Sequence, residues 1–92
     1  MGEDESTTQT DEPPASPEEE QIAAIWAAVL GHTTIVRDSD FFELGGESLL
    51  AMRMTARVRH MLGISLPVRT VFDFPTLADF ARAVTVAQQV SA

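Results

Sequence analysis

Apolar residues recur at helical spacing in three blocks of the chain, with aperiodic segments between them. In the first block Ile22, Ile25, Trp26, Val29 and Leu30 follow the i, i+3, i+4, i+7, i+8 pattern of one buried stripe. Ser16-Pro17-Glu18-Glu19 marks its start with an N-cap serine, a proline at the first helical position and a capping-box glutamate, and Gly31 sits where a left-handed cap ends a helix. The second block runs from Ser48 to Leu62, with Leu50, Ala51, Met54, Val58, Met61 and Leu62 on one face, Ser48, Thr55 and Arg59 beyond one edge, and Gly63 as the stop. Leu49 and Met52 fall off that face. They form a docking patch if the preceding loop leaves them open, and secondary core if it folds over them. The third block opens on Thr76 and Asp79, a second capping-box-like pair, and carries Leu77, Phe80, Ala81, Val84 and Ala87 as its stripe.

The intervening segments complete the outline. Residues 32–47 show neither period but include Ile35, Val36, Phe41, Phe42 and Leu44, which reads as a long loop carrying core side chains; such loops are uncommon and often functional. Ile64, Leu66 and Val68 around Pro67 make an extended connection, and Thr70-Val71-Phe72-Asp73 is one short helical turn before Pro75. The fold class expected is all-α: a small four-helix bundle, three main helices plus a short third helix, with a long loop between helices 1 and 2.

Composition sharpens this outline. With 92 residues the chain holds one small domain, too short for a dinucleotide fold, a barrel or a hydrolase fold. It has no cysteine, which removes disulfides, thiolate catalysis and thiolate metal sites, and no metal site is expected. The net charge of -8 is uneven: Glu3, Asp4, Glu5, Asp11, Glu12, Glu18, Glu19 and Glu20 fall in the first 20 residues with no base among them. Residues 1–16 are therefore expected to be a disordered acidic tail or linker, 17–89 the folded domain and 90–92 a C-terminal tail. Met1-Gly2 with Ser6 matches the letters of an N-myristoylation signal, but Glu3, Asp4 and Glu5 suit neither the modifying enzyme nor an anionic membrane, so the match reads as chance. The near-neutral remainder argues against nucleic-acid binding. With no apolar run of bilayer length and no basic-then-apolar leader, the expectation is a cytoplasmic protein with no membrane partner. The all-arginine base content beside many alanines fits a GC-rich bacterial source.

Chemistry concentrates in Asp38-Ser39-Asp40-Phe41-Phe42-Glu43-Leu44-Gly45-Gly46-Glu47-Ser48-Leu49, where two glycines and a serine join the long loop to the second helix. A phosphate ester on Ser48 would meet the free N–H groups and positive dipole end of that helix. Bare backbone at Gly45 and Gly46 would let another protein's active site reach the hydroxyl, so a bulky residue at position 46 is expected to slow modification more than it destabilises the fold. The plainer alternative is that Ser48 only caps the helix. A nucleophile elbow is excluded by the letters, since Gly46-Glu47-Ser48-Leu49-Leu50 lacks the second glycine and the histidines, His32 and His60, offer no evident base. The glycine doublet also lacks the Lys-Ser/Thr ending of a phosphate loop.

Asp40-Phe41-Phe42-Glu43-Leu44-Gly45-Gly46-Glu47-Ser48-Leu49 closely resembles the core motif of peptidyl carrier proteins, the thiolation domains of nonribosomal peptide synthetases. Leu66-Pro67-Val68-Arg69, Val71-Phe72 and Pro75-Thr76 resemble the same family around its short third helix, so the likeness extends over roughly residues 18–87. The resemblance implies that Ser48 receives 4'-phosphopantetheine from coenzyme A through a phosphopantetheinyl transferase. It further implies that the arm's thiol carries aminoacyl or peptidyl thioesters between adenylation, condensation, tailoring or thioesterase domains, and that the carrier itself catalyses nothing. Glu47 departs from the His or Asp most often found before the modified serine.

The resemblance also implies docking through Leu49, Met52 and Arg53 of the second helix and through Val71 and Phe72 of the short third one. Arg53, Arg57, Arg59 and His60 give the second helix a basic or neutral outer face, unlike the acidic one of fatty acid carriers, so partners that read the latter would meet like charge. The domain is expected to be a monomer. Two other readings stay open: a polyketide or aryl-acid carrier, with the same arm and a different cargo, and an unmodified helical interaction module in which Ser48 is only a cap.

Overall fold

Local rules of helix initiation and termination place four helices in this chain. The computed structural model describes residues 12–32 and 34–91, with the backbone alone at Ser91. Residues 1–11, which hold the myristoylation-like letters and most of the expected tail, lie outside the described residues. The first helix, α1 (Pro17–Leu30), starts where the Ser16 hydroxyl accepts the Glu19 N–H at 3.1 Å, and it ends at Gly31, whose left-handed backbone (φ 74°) turns its N–H onto the Ala27 carbonyl. α2 (Ser48–Leu62) ends the same way at Gly63. α3 (Arg69–Asp73) is a single short turn, and α4 (Leu77–Ser91) closes the bundle, its helical backbone continuing past the expected boundary at 89. Among the described residues the only β-type pairing is one bridge between Asp40 and Thr76.

α1 packs against α2 and α4, and α3 against α4. The core between them is made by Ile22 and Trp26 of α1, Ala51, Met54 and Val58 of α2, Val71 of α3, and Leu77, Phe80 and Val84 of α4. Each large apolar side chain so buried contributes about 1.5–3 kcal/mol. The loop before α2 adds Ile35 and Phe41, as expected, while Phe42 and Leu44 are half-buried against the same core. Trp26 lies edge-on to Phe41 at 5.1 Å and tilted to Phe80 at 5.8 Å.

Two positions on α2 differ from the pattern. Thr55, placed beyond the apolar edge by spacing, is buried; its hydroxyl donates to the Ala51 carbonyl at 2.7 Å, so its polarity is satisfied within the helix. Met61, placed on the buried face, is 45% exposed in the last turn of α2.

Residues 12–16 do not run free. The Arg37 N–H donates to the Glu12 carbonyl at 2.9 Å, and the Arg37 guanidinium lies 3.6 Å from the Glu12 carboxylate. The same guanidinium holds the buried Glu19 carboxylate through Nε at 3.0 Å and Nη2 at 3.2 Å. The second arm of the capping box is therefore displaced: Glu19 accepts from the Ala15 N–H at 2.8 Å and directs the rest of its acceptor capacity to Arg37. Burial pushes the Glu19 carboxyl up, but the Ala15 N–H, the Arg37 hydrogen bonds and charge, and the charge of Arg82 together hold it below its ordinary value.

The loop also caps α4. The Leu77 N–H donates to the Ser39 carbonyl and the Ala78 N–H to the Arg37 carbonyl, both at 3.0 Å, while Thr76 Oγ1 accepts the Asp79 N–H at 3.4 Å. These contacts satisfy donors that a helix start leaves without partners, and they fix the loop across the end of the bundle where α2 begins.

Candidate functional site

The segment leading to α2 is wound into a closed turn by its own backbone. Asp40 Oδ1 accepts the N–H groups of Phe42 at 2.8 Å and Glu43 at 3.1 Å, and the Leu44, Gly45 and Gly46 N–H groups donate to the carbonyls of Asp40, Phe42 and Phe41. His32 Nε2 lies 2.8 Å from the Leu44 carbonyl, tying the end of α1 to the same turn. Gly45 has φ 105°, a left-handed backbone that disfavours any side chain, and open space around its α-carbon. Gly46 differs. A side chain there would collide with the Phe41 ring and lie 2.6 Å from the Phe41 carbonyl oxygen. The bare side of Gly46 therefore faces the Phe41 ring inside the domain, while that of Gly45 faces open space.

After Gly46 the chain passes through Glu47 in extended backbone (φ -142°, ψ 178°), which is the N-cap residue of α2 and makes no side-chain capping bond. Ser48 is the first residue of the helix. The alternative in which Ser48 caps α2 is thereby excluded, since the capping position belongs to Glu47. Ser48 is exposed, and among the described residues no hydrogen bond engages its hydroxyl or the first N–H groups of α2. Both other long helices have capped starts, Ser16 serving α1 and Thr76 with the loop carbonyls serving α4.

These features fit a phosphate ester on Ser48. The open N–H groups and helix dipole favour such an anion by about 0.3–1 kcal/mol. Glu43 and Glu47, both exposed, oppose it with like charge. What the site offers is an unencumbered hydroxyl on a rigid helix start rather than an electrostatic trap.

Exposed apolar side chains follow Ser48 on α2 and recur on α3. Leu49 is 54% and Met52 57% exposed, so the loop does not fold over them. Phe72 is 50% exposed and stacks on Phe42 at 4.9 Å with the rings 24° apart. Phe42 in turn meets Phe41 edge-on at 5.4 Å, so an aromatic series runs from Trp26 in the core to Phe72 at the surface. Val71, grouped with Phe72 by sequence, is fully buried and belongs to the core, which removes it from any docking surface. Arg53 and Arg57 are exposed on α2, and among the described residues neither forms an ion pair.

A separate groove of about 680 Å³ lies between the α2–α3 connection and α4, lined by Leu66, Phe74, Val86 and Val90 among others. None of its lining residues comes from the loop or from the first turns of α2. Among the described residues no group of His, Asp or Glu side chains has the arrangement of a metal site, and no helix is long and apolar enough to cross a membrane.

The structure puts Ser48 at the start of α2 and leaves Leu49, Met52 and Phe72 exposed, as expected, but sequence reasoning missed the Glu19–Arg37 pair and the Phe42–Phe72 stack. Glu19 did leave a signal: with Ile22, Ala23 and Trp26 it completes an i, i+3, i+4, i+7 set, which puts a carboxylate on the buried face and demands a partner. The stack joins residues 30 positions apart and leaves no local signal.

Comparison with known proteins gives a consistent result. A family model described as a phosphopantetheine attachment site matches residues 20–84. The chain is 49% identical over 75 residues to phosphinothricin tripeptide synthetase PhsB of Streptomyces viridochromogenes, covering 82% of this chain but 6% of that synthetase. Among solved structures, an active-site mutant peptidyl carrier protein superposes with a TM-score of 0.81 at 31% identity, covering 87% of this chain and 89% of that one. The complex of the phosphopantetheine transferase Sfp with coenzyme A and a peptidyl carrier protein matches at TM-score 0.78 and 33% identity, over 82% and 97% of the two chains.

Proposed function

The chain belongs to the phosphopantetheine attachment family and is a carrier (thiolation) domain of the kind found in nonribosomal peptide synthetases, and on that premise we propose that Ser48 receives the 4'-phosphopantetheine arm of coenzyme A. The observation that carries this reading is the exposed Ser48 hydroxyl, which makes no hydrogen bond among the described residues and stands at the start of α2, where those residues supply no side-chain cap. In the transfer, the Ser48 oxygen forms the new bond to phosphorus, the bond from that phosphorus to the nucleotide half of coenzyme A breaks, and the hydroxyl proton passes to the transferase. Once attached, the arm supplies a terminal thiol, the group that this cysteine-free chain lacks, to hold acyl groups as thioesters.

The domain's own residues present and orient. Gly45 and Asp40 shape the turn, Glu47 carries the chain into α2, and Leu49, Met52, Arg53 and Phe72 form the surface that partners grip around Ser48. α2 contains arginines and no acid, so partners with carboxylates beside an apolar socket are favoured, and those built for an acidic helix are repelled. The domain catalyses no step in this account. The partners are a phosphopantetheinyl transferase and the adenylation, condensation, tailoring or thioesterase domains of a synthetase, and the setting is the bacterial cytoplasm. The cargo is an aminoacyl or peptidyl group, the class that a tripeptide synthetase relative favours.

Cargo is tested by converting the protein to its arm-bearing form and offering aminoacyl, aryl and malonyl donors with their loading enzymes. Aminoacyl thioester formation is expected to dominate. Preferential loading of aryl or malonyl groups would overturn the peptidyl assignment.

A further inference from the structure

Gly46 is the point where the backbone leading to Ser48 touches the core. A β-carbon on Gly46 would overlap Cδ2 and Cε2 of the Phe41 ring and approach the Phe41 carbonyl oxygen to 2.6 Å, whereas one on Gly45 would meet nothing. The ring that fills this space is fully buried and held edge-on by Trp26 at 5.1 Å and Phe42 at 5.4 Å. Both Phe41 backbone groups are also committed. Its N–H donates to the Pro75 carbonyl at 2.9 Å, and its carbonyl accepts the Gly46 N–H at 3.0 Å. Phe41 is thus anchored to α1 through Trp26 and to the start of α4 through Pro75, and it grips the chain two residues before Ser48.

We propose that Phe41 is a positioning residue for modification of Ser48: its ring occupies the volume a side chain at position 46 would need, and so fixes the backbone from which the hydroxyl projects. The proposal rests on Ser48 being the attachment site. Its consequence is that glycine at position 46 answers to a buried ring rather than to the incoming transferase. The two explanations separate cleanly, because the transferase never touches Phe41. Shrinking the ring relieves a clash inside the domain and does nothing for a clash with an external enzyme.

The experiment compares wild type, Gly46→Ala, Phe41→Leu and the double variant. It measures kcat and KM for arm transfer from coenzyme A by a broad-specificity transferase, together with far-UV circular dichroism and the emission of Trp26, the chain's one tryptophan. Gly46→Ala is expected to lower kcat by about tenfold while helicity is kept, since ångström-scale misplacement of a reacting group costs up to about a hundredfold. The double variant should recover roughly threefold over Gly46→Ala and restore Trp26 emission toward that of Phe41→Leu; recovery is partial because the 2.6 Å approach to the Phe41 carbonyl remains. A double variant modified no faster than Gly46→Ala overturns the proposal.

If Gly46→Ala does not fold, Phe41→Leu alone decides: faster amide exchange at Gly46 and slower arm transfer support the proposal, and wild-type values for both overturn it. Wild type that accepts no arm would instead count against Ser48 as the attachment site, while Trp26 emission across the four proteins still tests the internal contact.

Discussion

Leu49, Met52 and Phe72 leave about half of their surface in solvent; Leu49 and Met52 lie in the first turns of α2 beside Ser48, and Phe72 stacks on Phe42 with one face. Their contribution belongs to complexes. The double substitution Leu49→Gln with Met52→Gln is expected to change stability by less than about 1 kcal/mol, as surface changes do, while raising KM for arm transfer with kcat retained. Thermal melts and steady-state kinetics check both halves. A collapse in stability would return these side chains to the core. That the two residues lie off the buried face was legible from helical spacing, because a 15-residue helix repeats its apolar stripe often enough to define a face. α3, with five residues, repeats nothing, so only the structure separates the buried Val71 from the exposed Phe72. The same limit hid the difference between Gly45 and Gly46, which depends on where a non-neighbouring ring sits.

At the scale of elements, the loop between α1 and α2 carries the account, and its anchor to α1 is the pair of Glu19 with Arg37. Replacing Glu19 by Gln should destabilise the domain by about 2 kcal/mol, between the value of an exposed pair and that of a fully buried one, and lower the melting temperature by roughly 10 °C. The pair also predicts a pH dependence. Because the folded carboxyl holds its proton less readily than the unfolded one, its stabilisation is complete above the ordinary value of 4.5 and is lost as pH falls through the lower folded value. The charged groups acting on it are Arg37, which also pairs with Glu12, and Arg82, and both arginines keep their charge throughout this range. Melts of wild type and Glu19→Gln should therefore converge as pH drops below 4.5; a constant gap would contradict the role of the ion pair. The helix boundaries and the loop's apolar anchors were readable because caps and periodicity are local. The loop's role as the cap of α4, through the Ser39 and Arg37 carbonyls, was not, since it pairs backbone groups about 40 residues apart.

Across the whole molecule, the bundle presents one helix start that is uncapped among the described residues and follows it with exposed apolar side chains on α2. The charge distribution follows the same division: the chain carries -8 overall, yet α2 contains arginines and no acid. The central claim is that Ser48 accepts the arm. The most direct measurement is the intact mass of wild type and Ser48→Ala after incubation with coenzyme A, magnesium and a phosphopantetheinyl transferase. Because Ser48 is exposed and makes no hydrogen bond among the described residues, both proteins should give the same melting curve. The account predicts a gain of one phosphopantetheine in wild type and none in Ser48→Ala. A folded wild type that gains no mass, or a Ser48→Ala protein that gains as much, would contradict it.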